Sequence, residues 1–249
     1  TLPSRGVLLL LGSAGEGKST LLRTMAGLND AQPSLRTWGE MSFTGERPTL
    51  VRQNARLLLS SLHENLVSGL PTRSSLTRVQ QAELLAQHLQ QLGLADLEAE
   101  LGGDVSSLPR AQQRMAFLAR ALLGDPACLL LDEPSAGLLD DEPGAQRILD
   151  LVLRESERRL VVVTTHNQRH ARRLGGEVVL LADGTVHERT PTREFFETAA
   201  SPAAQMFVRS GRCSLVPRGP RATEETASTE EGEEREAQEA PAVVSRMVG

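Results

Sequence analysis

Apolar runs alternate with helical patterns along the chain, and polar residues follow the ends of the runs. Residues 6–11, 127–131 and 160–165 are short runs rich in leucine or valine, which predict fully buried strands of a parallel sheet. The first run continues through a glycine-rich segment into the helix-like residues 20–28. Because strands and helices alternate, the pattern predicts an α/β fold with a largely parallel sheet at its core.

Residues 62–123 show helical periodicity, which predicts a helical subdomain inserted between strands of that sheet. One helix of this subdomain carries an apolar stripe with two further leucines beside it. The stripe consists of Leu76, Val79, Ala82, Ala86 and Leu89, and the neighbours are Leu85 and Leu92. A second helix is predicted to begin near Pro109 and to turn three apolar side chains inward, namely Met115, Leu118 and Leu122.

The remaining segments divide the chain into one domain and a tail. Residues 31–60 predict short strands and turns, 146–158 a helix, 177–188 a hairpin around Asp183-Gly184, and 192–207 a helix. Four turn-forming residues then mark a boundary, namely Gly211, Pro217, Gly219 and Pro220. We therefore expect a domain over residues 1–210 and a linker with a disordered acidic tail over 211–249, without internal repeats.

Composition changes this picture only in its electrostatics. Hydrophobic residues make up 39% of the chain and aromatic residues 2%, so the core is built from Leu, Val and Ala, as suits parallel α/β packing. The formal net charge is −5, and residues 221–249 supply all of it through eight Glu and three Arg. The neutral body gives no electrostatic reason to expect a nucleic-acid partner.

The two cysteines and the apolar runs bear on location. Cys128 lies in an apolar run and is expected to be a buried, reduced thiol, which favours a cytosolic compartment. No signal peptide is recognisable, and no apolar run approaches the roughly 20 residues of a membrane span. We therefore expect a membrane role only through a partner.

The glycine-rich segment between the first strand and helix has the pattern of a phosphate-binding loop, Gly12-x-x-x-x-Gly17-Lys18-Ser19. Glycines let backbone N–H groups converge on an anion, and the helix start adds its positive dipole. Lys18 is also the only lysine among 27 basic residues, and a flexible point charge on phosphate is where arginine substitutes badly. The predicted nucleotide-binding residues are Gly12, Ser13, Ala14, Gly15, Glu16, Gly17, Lys18, Ser19 and Thr20.

Carboxylates at the end of the second apolar run complete a nucleoside-triphosphatase pattern. Asp132 is predicted to hold Mg²⁺ together with the Ser19 hydroxyl, and Glu133 to polarise the attacking water. The spacing of 114 positions from Lys18 to Asp132 leaves room for a helical insertion between two strands of one sheet. ATP and Mg²⁺ are the expected cofactors.

Five motifs in order resemble those of the ATP-binding domain of ABC transporters. They are residues 12–20 (GSAGEGKST), Gln53 with its context, 111–123 (AQQRMAFLARALL), 128–137 (CLLLDEPSAG) and 161–167 (VVVTTHN). The resemblance implies a P-loop ATPase with Glu133 as catalytic carboxylate, His166 as the histidine at the γ-phosphate, and Gln53 at Mg²⁺ and the γ-phosphate. Residues 165–174 and 192–211 most resemble bacterial import ATPases, the phosphate-import subgroup in particular.

The same resemblance implies partners. Such domains dimerise around ATP·Mg²⁺ and drive transport through membrane permease subunits, so this chain is expected to be cytoplasmic and peripheral on the inner face of the cell membrane. The family's signature, Leu-Ser-Gly-Gly-Gln, touches the γ-phosphate of the opposite subunit through serine and glycine amides. Here Ser107-Leu108-Pro109-Arg110-Ala111 stands in its place, and Pro109 has no N–H to give. This departure favours a heteromer with another ATPase domain over a homodimer, although Arg110 could offer a charge instead.

Two further departures concern the ends of the motifs. The family's aspartate after the 128–137 motif comes one place late here, at Asp140. This shift corresponds either to a one-residue insertion or to a weakened dimer contact. An aromatic residue that stacks on adenine normally lies upstream of the phosphate loop, where this chain has few residues. This indicates either a truncated chain or a reduced domain.

Two alternatives to a transport ATPase stand beside it. One is a regulatory module that binds ATP, barely hydrolyses it and signals through the acidic tail. The other is an ABC ATPase of DNA repair or translation, against which the neutral body and the lack of a coiled-coil insertion or duplicated domain argue.

Overall fold

The computed structural model describes residues 2–33, 35, 43, 46–57, 59–138 and 140–213. Its strands are β1 (Gly6–Leu11), β2 (Thr49–Val51), β3 (Cys128–Asp132), β4 (Leu160–Thr164), β5 (Glu177–Ala182) and β6 (Thr185–Pro191). They form one sheet in the order β2-β3-β4-β1-β5-β6, in which β6 alone runs antiparallel to its neighbour. The predicted α/β class with a largely parallel core is confirmed.

Helices cover both faces of the sheet. They are α1 (Lys18–Met25), α2 (Leu62–Val67), α3 (Arg78–Gln91), α4 (Arg110–Leu122), α5 (Glu142–Ser156), α6 (Gln168–Leu174), α7 (Thr192–Thr198) and α8 (Pro202–Ser210). Short 3-10 helices cover Arg73–Ser75, Ala95–Leu97 and Val105–Ser107. None of the helices within the described ranges is both long and apolar enough to cross a membrane.

Alternating side chains of the strands enter two separate cores. Leu9 and Leu11 pack into the larger one, whereas Leu8 and Leu10 pack with Leu22 of α1 on the opposite face. Because successive side chains of a strand point to opposite faces, a sheet covered on both sides needs uninterrupted apolar runs. This is why these strands contain leucine and valine without polar alternation.

Helices α2, α3 and α4 lie in the span predicted as a helical subdomain. The inward side chains predicted for α4 are buried, and so are Leu85, Leu89 and Leu92 of the α3 region. The predicted α3 stripe is wrong in one member, because Val79 is 68% exposed. At about 100° per residue, Val79 lies roughly 120° around the helix from Leu85, outside the narrow buried face.

Three boundaries in the second half differ from the prediction or refine it. Helix α5 begins a turn earlier than predicted because Asp141 caps it through the Gly144 N–H. The predicted hairpin is present, with left-handed φ at both Asp183 and Gly184. The predicted helix over 192–207 is two helices, since Ser201 caps a new one and Pro202 occupies its first turn. The predicted tail, and the linker from residue 214, lie outside the described residues.

Candidate functional site

The register of the parallel strands aligns the segments that carry candidate residues. Thr164 on β4 is the partner of Leu10 on β1 and also of Asp132 on β3. The chain therefore leaves all three strands at the same edge of the sheet, where α/β proteins bind ligands. The glycine-rich loop, Glu133 and His166 all lie just beyond that edge.

The glycine-rich loop needs glycine at its first position. Gly12 has a φ of +151°, and a Cβ there would lie 2.3 Å from the Leu181 carbonyl oxygen. Gly15 and Gly17 also have positive φ, and Gly17 is the residue from which α1 begins. Within the loop Ala14 and Gly15 are exposed and Glu16 is buried, while Thr20 is exposed on the first turn of α1.

The Lys18 ammonium is held against its own loop. Its Nζ donates to the carbonyl oxygens of Gly12 and Ser13, both at 2.8 Å. Burial lowers the pKa of Lys18, and the nearby carboxylates, Glu133 foremost, oppose that shift. The loop thus contains one buried, partly compensated positive charge, which suits an incoming phosphate.

Hydroxyl groups from two elements converge on Asp132. The Ser19 Oγ donates to its Oδ1 at 3.1 Å, and the Thr164 Oγ1 donates to the same oxygen at 2.8 Å. The Thr164 Oγ1 also accepts the Glu133 N–H at 3.1 Å. Helix α1, β3 and β4 are therefore linked at a single carboxylate. A carboxylate beside a hydroxyl is an oxygen donor set of the kind that Mg²⁺ prefers.

Glu133 is a buried acid in an unusual backbone conformation. Its φ is +51°, a left-handed value that costs a non-glycine residue about 1 kcal/mol. Burial raises the pKa of Glu133 to about 7, against the opposing effects of a hydrogen bond from the His166 backbone and the Lys18 charge. Its Oε1 lies 3.2 Å from the half-exposed His166 Nε2. Burial and Lys18 lower the pKa of His166, so this imidazole is neutral near pH 7.

Gln53 is brought to the same edge but not into this network. It follows β2, whose Val51 is paired with Leu131 of β3. Its side chain is exposed, and its carbonyl accepts a 2.5 Å hydrogen bond from Arg114. Among the described hydrogen bonds, none joins the Gln53 side chain to another candidate residue. Gln53, Arg110 and Arg114 instead line an open cleft of about 320 Å³.

The residues at two of the three departures from the family pattern lie at or next to the start of a helix. Leu108 is buried in the main core, Pro109 precedes α4 without a side-chain cap, and Arg110 is exposed at the first position of the helix. The capping aspartate of α5 is Asp141, while Asp140 is exposed and Leu139 lies outside the described residues.

Sequence reasoning missed three polar contacts at the site. Thr164 bridges Asp132 and Glu133, and the Ser135 Oγ lies 2.9 Å from the His170 Nδ1. Cys213 contacts Ser13 of the glycine-rich loop, 200 residues away in sequence. The threonine at the end of an apolar run was visible in the sequence. Nothing local pointed to the other two contacts, because they depend on how the helices pack.

Comparison with known proteins gives a consistent picture. The family model described as "ABC transporter" matches residues 1–136. The phosphate import ATP-binding protein PstB of Mycobacterium intracellulare is 31% identical over 221 residues, which cover 83% of this chain and 76% of that protein. PstB 2 of Mycobacterium tuberculosis is 28% identical over 83% of this chain and 79% of its own length.

A solved structure of a metal-chelate type ABC transporter, in an inward-facing conformation, has the same fold. Its chain superposes with a TM-score of 0.63 over 82% of this chain and 76% of its own, at 22% sequence identity.

Proposed function

Because the chain belongs to the ABC transporter family of ATP-binding proteins and is an ABC-type ATPase, we propose that it is the ATP-binding subunit of an import transporter. The PstB relatives support phosphate as the imported solute. The observation that carries the proposal is the alignment of Lys18, Ser19, Asp132, Glu133 and His166 at one edge of the sheet. The comparisons do not favour the regulatory alternative, in which the chain binds ATP without turning it over.

Each side chain has a role in ATP hydrolysis that follows from its position. The loop amides and Lys18 would bind the β- and γ-phosphates, as such loops do. Ser19 and Asp132 would hold Mg²⁺, with Gln53 as a further oxygen donor that must turn inward to reach it. When bound, Mg²⁺ neutralises charge on the phosphates. The existing hydrogen bond between Ser19 and Asp132 supports this donor set, since both oxygens already face each other.

Glu133 is proposed as the general base toward the attacking water. A general base is most effective when its pKa lies near the working pH. Burial raises the pKa of the Glu133 carboxyl to about 7. The His166 Nε2 lies 3.2 Å from the Glu133 Oε1. Because this imidazole is neutral, it can donate one hydrogen bond toward a terminal phosphate or the attacking water without repelling the Lys18 ammonium.

The test of this proposal is Glu133→Gln in the purified chain. We expect ATP turnover to fall at least about 100-fold, as for the loss of a general base, with ATP affinity unchanged or higher. Glu83→Gln, an exposed change on α3, is the matched control. Unchanged turnover in E133Q would contradict the assignment, and an absence of turnover even when the unmodified chain is assembled with its partner subunits would favour the regulatory module.

The membrane partner is proposed to be a permease, and the second ATP-binding subunit a different chain. Pro109 and Arg110 support the heteromer because they remove an N–H donor and add bulk at the start of α4. Co-purification from cells tests this. A second ATP-binding subunit in the membrane complex is the expected result, and a complex with two copies of this chain would contradict it.

A further inference from the structure

Cys213 lies at the end of the described chain and binds Ser13 of the glycine-rich loop through three contacts. The Cys213 N–H donates to the Ser13 Oγ at 2.7 Å, and the Ser13 N–H donates to the Cys213 Sγ at 3.1 Å. The Ser13 Oγ and the Sγ are also 3.1 Å apart. Cys213 is fully buried and Ser13 is half-buried, so competition from water for these bonds is reduced.

The thiol has one consistent arrangement of hydrogens. The Sγ lies 3.5 Å from the Leu181 carbonyl oxygen, to which its S–H donates. With that hydrogen committed, the Ser13 hydroxyl donates to the sulfur and accepts from the Cys213 N–H. Every polar hydrogen of the pair then has an acceptor. The same Leu181 carbonyl is the group that excludes a side chain at Gly12.

Ser13 is therefore held from two sides. Cys213 holds its N–H and hydroxyl, while Lys18 holds its carbonyl oxygen and that of Gly12. Because a peptide group is planar, fixing the Ser13 N–H also fixes the direction of the Gly12 carbonyl, to which Lys18 donates. The direction in which Lys18 is held thus depends on a residue 195 positions away in sequence.

We infer that Cys213 is a positioning residue for ATP binding, which fixes the Gly12–Ser13 peptides and through them the Lys18 ammonium. Its described hydrogen bonds reach Ser13 and Leu181 rather than the Lys18 side chain, so its effect is expected on affinity rather than on the chemical step. This inference rests on the proposed role of residues 12–20 as the phosphate loop.

The test combines Cys213→Ala, Ser13→Ala and the double variant with titration of a fluorescent ATP analogue. One lost hydrogen-bond pair weakens binding about fivefold. We expect Kd and KM for ATP to rise by about that factor in C213A, with kcat changed less than about twofold. C213S keeps a donor and an acceptor, so it should restore Kd to within about twofold of the unmodified chain.

Non-additivity is the sharper measurement. If Ser13 and Cys213 act on ATP only through each other, the double variant should weaken binding no more than about as much as the worse single variant. Cys128→Ala is the matched control, because Cys128 is the only other cysteine and lies at the far end of β3. It should leave Kd unchanged.

Thermal melting separates positioning from folding. All titrations are made well below the melting temperature of each variant, measured by circular dichroism. A C213A protein that melts earlier but binds the analogue normally would overturn the inference, as would effects of the two single variants that multiply. Lys18→Ala separates the positioning role of Cys213 from the phosphate-loop assignment on which it rests. If K18A abolishes ATP binding while C213A does not alter it, only the positioning role fails. If K18A binds normally, the phosphate-loop assignment itself fails.

Discussion

Lys18 is the only side-chain amine of the protein, which makes its environment directly measurable. We expect acylation by an N-hydroxysuccinimide ester to be slowed at least about tenfold by ATP with Mg²⁺, because the phosphates would cover the ammonium group. ADP should protect similarly, whereas AMP, which lacks the β- and γ-phosphates, is the matched control and should not. Mass spectrometry of the labelled peptide gives the rate. Equal protection by AMP would contradict a role of Lys18 at these phosphates.

Gly12 offers a prediction on the backbone of the loop. Gly12→Ala puts a Cβ against the Leu181 backbone carbonyl and adds strain at a φ of +151°. The loop must move to relieve the clash, so ATP affinity should fall more than about tenfold and stability by about 1–3 kcal/mol. Gly124→Ala is the control, because nothing lies within 4 Å of its added Cβ. Calorimetry of both variants measures this, and normal affinity in G12A would show that the loop tolerates another path.

At the scale of single residues, the sequence predicted the groups that terminate strands but not those that support them. Asp132, Glu133 and His166 follow apolar runs, so their position at one sheet edge could be derived from the pattern alone. Cys213 and His170 have no such signal, since their partners, Ser13 and Ser135, lie 200 and 35 residues away. Hydrogen bonds of this kind depend on tertiary packing, which periodicity does not contain.

At the scale of elements, α5 shows how a cap decides where a helix begins. The apolar periodicity starts at residue 146, but the Asp141 side chain binds the Gly144 N–H and extends the helix by a turn. We expect Asp141→Ala to lower the free energy of unfolding by about 1 kcal/mol, the usual cost of a lost N-cap. Asp140→Ala, the exposed neighbour, should change it by less than about 0.5 kcal/mol.

Urea denaturation of the two aspartate variants measures the difference. An equal loss in both would indicate that charge at the helix start, rather than the side-chain hydrogen bond, stabilises α5.

At the scale of the whole molecule, the burial of both faces of the sheet follows from the apolar runs, whereas the strand order and the buried face of helix α3 do not. The strands are buried on both sides, so every apolar residue of a run is predicted to be buried, whichever face of the sheet it points to. Helix α3 is partly exposed and buries few side chains, and its stripe can be assigned to neighbouring positions without violating the pattern. This is why the predicted stripe includes Val79, which is exposed, and puts the fully buried Leu85 beside the stripe instead of at its centre.

The start of α4 sets the last prediction, which concerns turnover by the isolated chain. With Leu108 buried, Pro109 lacking an N–H and Arg110 exposed, this helix start has no free amide at the position of the first glycine of the family signature. We therefore expect slow ATP turnover that is linear in protein concentration. The variant P109G/R110G restores the amide and removes the guanidinium without disturbing the buried Leu108.

If an opposing helix start is what the isolated chain lacks, P109G/R110G should raise turnover at least about tenfold, since one oxyanion donor is worth about that or more. The dependence on concentration should also become steeper, because two chains must meet. The single variant Arg110→Ala tests whether this side chain obstructs the site or contributes its charge. Faster turnover would show that the guanidinium obstructs the approach of the phosphate. Slower turnover would show that its charge binds the phosphate of the opposite subunit. Rapid, cooperative hydrolysis by the unmodified chain would instead show that a homodimer is complete, because it needs no second kind of subunit to supply the missing amide.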